Sequence, residues 1–95
     1  MGDQPAGRRW MLLSSHGQML VLIAQQPGLT LAQLALRVGL TERRTHAIVR
    51  DLAEAGYVTV TRQGRRNLYI VNGDRPFRHQ LLAHHEVRDL LEVLG

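Results

Sequence analysis

Ninety-five residues with 44% hydrophobic and 21% charged side chains describe one soluble globular domain, because splitting the chain would leave halves too small for separate cores. The lack of cysteine excludes a disulfide scaffold, thiolate metal ligation and a thiol redox switch, and the longest apolar run, Met19 to Ala24, falls far short of the ~18 residues that cross a bilayer. The net charge of +4 is unevenly spread, with +1 on residues 1–36, +4 on residues 37–66 and −1 on residues 67–95, and a local basic patch is the electrostatic footprint of a nucleic-acid binder.

All twelve basic residues are arginine, which suits flat bidentate contacts with phosphate and guanine edges; a GC-rich genome gives the same bias for unrelated reasons. Residues 1–9 form a loose tail with Gly2, Pro5 and Gly7. Arg8, Arg9 and the apolar stretch Trp10 to Leu13 superficially suggest an export signal, but Ser14 to Gln18 interrupts the apolar core and no small-residue cleavage pattern follows. A cytoplasmic location is the expectation.

Ser15 with Gln18 is a capping-box pattern that starts a helix at about 16, and Pro27-Gly28 stops it near 26. Met19 through Ala24 makes it apolar on nearly every side, so it belongs in the centre of the core. Thr30 with Gln33 repeats the capping pattern before a short second helix that ends at Gly39. Thr41 is the natural N-cap of a third helix, about 42–55, ending at Gly56. Two short helices joined by a tight Gly-containing turn form a helix-turn-helix arrangement.

At about 100° per residue, with Arg43 as zero, Thr45, Ile48, Val49 and Leu52 fall between about 140° and 240° and form a buried face. Arg43, His46, Ala47 and Arg50 lie within about 60° of zero. That outer face is either an ordinary solvated helix surface or one free to enter a groove. Residues 57–62 and 66–71 are rich in β-branched and aromatic side chains and flank Gln63-Gly64-Arg65, which predicts a β-hairpin. Its tip carries Arg62, Arg65, Arg66 and Asn67, placed either to meet a phosphate or minor groove or to blunt a sheet edge. Pro76 opens a final helix, expected over about 76–94, with apolar positions Phe77, Leu81, Ala83, Val87, Leu90, Leu91 and Leu94.

The order of these elements, with Gly39 to Val58 passing through Leu52-Ala53-Glu54-Ala55-Gly56-Tyr57-Val58 and then Arg62-Gln63-Gly64-Arg65-Arg66-Asn67-Leu68-Tyr69, resembles the winged helix-turn-helix transcription regulators of the MarR and ArsR-like kind. Asp74-Arg75-Pro76 before a final helix is similar to a group of small actinobacterial-type regulators. The resemblance implies a mainly α fold with a β-hairpin wing: a winged helix-turn-helix over residues 15–71 and an additional C-terminal dimerisation helix, 76–94. It also implies helix 42–55 in the major groove of double-stranded DNA and wing 62–67 on the flanking backbone. Arg43, His46 and Arg50 then become candidates for base edges, Ala47 for a thymine methyl, and Thr30, Thr41 and Arg44 for phosphates. The chain lacks the long terminal helices of the MarR pattern, so a MarR-type ligand pocket is not implied and any effector stays unassigned.

An apolar stripe of this length on so small a domain points to a second subunit, the alternative being that the helix folds back on its own domain. The expectation is a homodimer through Phe77, Leu81, Val87, Leu90, Leu91 and Leu94, with Trp10 contributing, and an inverted-repeat operator to match the two-fold. His79, His84, His85, Glu86 and Asp89 raise a metal-sensing alternative, since His85 and Asp89 share a helix face at i, i+4. Adjacent His84 and His85 point about 100° apart, and solvated or interface histidines account for the cluster. No metal or cofactor is assigned. The absence of a nucleophile motif, a phosphate-binding Gly loop or a close acid pair gives no basis for an enzyme. The competing functional class is a winged-helix module for protein or RNA, which salt dependence separates from a DNA binder.

Overall fold

A computed structural model describes residues 11–94; the tail 1–9 and Trp10 lie outside them. The elements run α1 (Ser15–Gln25), α2 (Leu31–Val38), α3 (Glu42–Glu54), β1 (Val58–Gln63), β2 (Arg66–Val71), a 3₁₀ turn (Gln80–Leu82) and α4 (Val87–Leu94). This is a winged helix-turn-helix with a C-terminal helix.

Each of α1, α2 and α3 starts where a hydroxyl can satisfy free amides. For α1 that residue is Ser14, whose Oγ accepts from Gly17 N at 3.1 Å, and not Ser15 as expected. With Ser14 as cap the third helical position is Gly17, which has no side chain to complete a box, and Gln18 instead donates from Nε2 to Leu13 O at 3.0 Å. Thr30 and Gln33 form the expected reciprocal box on α2, and Gly39 closes that helix in the left-handed region at φ 82°. Thr41 caps α3 by accepting from Arg44 N at 3.0 Å.

The core joins Met19, Leu20 and Ile23 of α1, Leu34 of α2, Ile48, Val49 and Leu52 of α3, Val58 and Tyr69 of the hairpin, and Val87 of α4. Val21, Leu22 and Ala24 of α1 are only half-buried, so this helix is less completely covered than its all-round apolarity suggested. Thr45 is fully buried on the core face of α3, and its Oγ1 has no hydrogen-bond partner.

The hairpin pairs Val58 with Val71, Val60 with Tyr69 and Gln63 with Arg66. Its turn is therefore the two residues Gly64-Arg65, not the expected three. Only Gly64 of the pair has positive φ, at 65°, the type II′ pattern whose twist matches the flanking strands. Tyr57 stays outside the strand because its N–H donates to Leu52 O at 2.9 Å, completing the exit from α3.

The expected helix 76–94 is not continuous. Pro76 and Glu86 form an isolated antiparallel bridge, His79 caps the 3₁₀ turn by accepting from Leu81 N at 3.1 Å, and α4 proper begins at Val87. Side-chain geometry accounts for the break. On one helix with Leu81 at zero, Phe77 and Leu82 would fall at about 320° and 100°, while Val87, Leu90, Leu91 and Leu94 gather between about 180° and 280°. No single face serves both groups, and the bend lets Val87 enter the core at 1% exposure. Val87 thus packs inside its own domain, not on a dimer face, and Leu91 also packs against that core.

Candidate nucleic-acid interface

α3 is an amphipathic helix whose apolar half is Thr45, Ile48, Val49 and Leu52, all buried. Burial of that face against α1, α2 and β1 fixes the rotation of the helix about its axis. Arg43, Arg44, His46 and Arg50 are consequently exposed, with Ala47 half-buried between them. None of these four polar side chains makes a hydrogen bond or ion pair among the described residues. A helix presenting cations beside a small residue can approach another surface closely with its donors available.

The N-caps differ in what they can still offer. The Thr30 hydroxyl accepts from Gln33 N and donates to Gln33 Oε1, each at 3.2 Å, while Thr30 N donates to the same Oε1 at 2.8 Å. Its donors are already engaged. The Thr41 hydroxyl accepts from Arg44 N, and its proton has no acceptor among the described residues. A phosphate beside the start of α3 would meet that donor together with the positive end of the helix dipole.

At the hairpin the three arginines do different things. Arg66 reaches back to the carbonyl of Gly28 in the α1–α2 connection, so its guanidinium ties the wing to the body of the domain. Arg62 donates from Nε to Gly64 O at 3.1 Å across the turn. Arg65 has no partner among the described residues, and Asn67, opposite Arg62 in the register, is exposed.

Next to Arg50 on α3, Asp51 Oδ2 lies 2.8 Å from His16 Nε2. That hydrogen bond is the main cause of a lowered Asp51 pKa; desolvation opposes it, and the charges of His16, Arg50 and Arg44 add to the lowering. The pairing joins residues 35 apart, as Arg66 and Gly28 are 38 apart, and no local pattern signals either. At the C-terminal histidines, His85 Nδ1 lies 3.4 Å from Asp89 Oδ2, but His85 precedes α4, so the two do not share the helix face on which the metal-sensing alternative relied. Among the described residues no group of three or more His, Asp or Glu side chains is placed to hold a metal ion.

Three helices, a tight turn between the second and third, and a hairpin following directly are now placed. Residues 14–59 match the winged helix-turn-helix DNA-binding family. The match runs from the N-cap of α1 through the second residue of β1, so it takes in the whole winged-helix trihelical core and the exposed face of α3. Most of the wing and the C-terminal segment lie beyond it. No relative is found among curated proteins.

Proposed function

We propose that this chain is a sequence-specific, dimeric DNA-binding transcription regulator of the MarR/ArsR-like kind, acting in the cytoplasm, with α3 in the major groove and wing residues 62–67 on the flanking backbone. The observation that carries it is the division of α3: Arg43, His46 and Arg50 are exposed and unpaired among the described residues, opposite a face buried in the core. Arg43, His46 and Arg50 are assigned to base edges, Ala47 to a thymine methyl, and Thr41 and Arg44 to phosphates. Arg65 is the leading wing contact, with Arg62, Arg66 and Asn67 beside it; Thr30 contributes less because its donors serve Gln33.

A second copy is supported by apolar side chains left open on the C-terminal segment: Leu81, Leu82, Val93 and Leu94 are 76%, 46%, 83% and 44% exposed. An α1–α4 groove lined by Val21, Ala24, Leu91 and Leu94 adds to that surface. Two-fold pairing would set the recognition helices about 34 Å apart, matching an inverted repeat.

Selection of bound fragments from random DNA tests both halves of the proposal. A palindrome should emerge, Arg43→Ala or Arg50→Ala should cost about 1–3 kcal/mol on it, and affinity should fall steeply with salt. Equal losses on random duplex would remove the base-reading role. Affinity indifferent to salt would favour the protein-interaction alternative.

A further inference from the structure

We propose that Arg75 is a positioning residue for DNA binding: laid across Gly56, it locks the wing base and the C-terminal segment to the end of α3 and so sets the angle between recognition helix and wing. The role in DNA binding rests on the function proposed above; the lock itself does not.

The chain leaves α3 through Gly56, at φ 86°, and the Gly56 carbonyl faces the turn that follows β2. Two side chains of that turn converge on it, Asn72 Nδ2 at 2.9 Å and Arg75 Nε at 3.3 Å. Around this point Asn72 N donates to Tyr57 O at 2.8 Å, Tyr57 Oη donates to Pro76 O at 3.0 Å, and Asn72 Nδ2 donates to Thr59 Oγ1 at 3.0 Å. Residues 56–59 and 72–76 are thereby zipped together.

The guanidinium crowds Gly56 on the side where a Cβ would stand. A Cβ there would come within 2.7 Å of Arg75 Nε and Cζ, so a side chain at position 56 would push the exposed guanidinium off this seat, while the backbone angle by itself already favours glycine. Charge favours the arrangement too. The last turn of α3 holds no basic residue, and Arg75 brings a cation from outside to the negative end of the helix dipole.

The same turn holds α4. Arg75 O accepts from Val87 N at 2.8 Å and Gly73 O accepts from Arg88 N at 2.9 Å. One four-residue turn thus touches the end of α3, the base of the wing and the start of α4. A wing held at a fixed angle reaches the backbone without an ordering cost on binding, which is the advantage of preorganisation. The placement of α4, and with it the state of the proposed dimer, is connected to that angle through Arg75.

Amide exchange and DNA affinity of R75A and R75K test the lock. In R75A, the Asn72 and Val87 amides should exchange about tenfold faster while the Leu52 amide is unchanged, and affinity for selected DNA should fall about tenfold with the salt slope of the wild type. R75K keeps the cation but loses the Nε donor, and should be intermediate; it carries the measurement alone if R75A does not fold. Wild-type exchange at Asn72 and Val87 in the variant overturns the lock. A reduced salt slope makes Arg75 a phosphate contact and overturns the positioning role. Should the wild type bind no DNA, the function proposed above fails, while the exchange rates still decide whether the lock exists.

Discussion

α3 and α4 are both strongly amphipathic, yet the protomer completes only one of them. α3 buries Thr45, Ile48, Val49 and Leu52 against three neighbours, and its other half is charged. α4 buries Val87 alone, leaves Leu90 and Leu91 half-covered, and exposes Val93 and Leu94. A helix gripped on its whole apolar face has its rotation set by its own core, as a surface that must present particular side chains requires. A helix gripped at one end has an unfilled face, and the second subunit proposed above would relieve the cost of leaving it in water.

The contrast can be broken most forcefully at Ile48. It is fully buried, so Ile48→Ala should destabilise the protomer by about 2–5 kcal/mol in urea unfolding, whereas Val93→Ala should fall within about 0.5 kcal/mol when measured on monomer. Comparable losses at the two sites would erase the distinction between the helices. Next in size is the assembly. Leu90 is half-buried, and replacing it would mix folding with association; Leu81, 76% exposed, separates them. Leu81→Glu should give monomers in sedimentation at micromolar concentration with unchanged stability of the protomer, and a persistent dimer would move the interface elsewhere. A smaller effect sharpens the picture of α3 itself. The unpartnered Thr45 hydroxyl should make Thr45→Val more stable by about 1 kcal/mol, since the side chain keeps its shape and a buried unsatisfied group disappears; a loss would mean that the hydroxyl has a partner in solution.

The same two helices mark how far local pattern reaches. For α3 every signal agreed: Thr41 as cap, a 3.6-residue apolar stripe and Gly56 as stop all act within one or two turns, and the buried face is the one the angular arithmetic selected. The C-terminal segment satisfied the same local rules with Pro76 and a spaced apolar series, but its outcome was decided by partners far away. Tyr57 takes the Pro76 carbonyl, Val87 is drawn into a core built by the first 70 residues, and Leu81 and Leu82 cannot share a face with the rest. Residue types at the candidate interface were legible in sequence; their commitments were not. Three arginines near one tip read alike along the chain, yet Arg66 is turned to Gly28 and Arg62 to its own turn, because carbonyls exposed by the fold compete for guanidinium donors.

The smallest effect lies at a polar tie between α1 and α3, His16 with Asp51. Both side chains are well exposed, at 37% and 54%, so the pair is weak beside the apolar face of the same helix. Its hydrogen bond lowers the Asp51 pKa in the folded state. A lowered carboxyl pKa stabilises the fold above the ordinary aspartate value of about 3.9, and that contribution is lost as pH falls through the lower folded value. Wild type and His16→Ala should therefore differ slightly in urea midpoint at pH 5 and converge on acidification below pH 4. If the gap stays constant with pH, Asp51 is not what His16 holds, and the orientation of α3 depends on its apolar face alone.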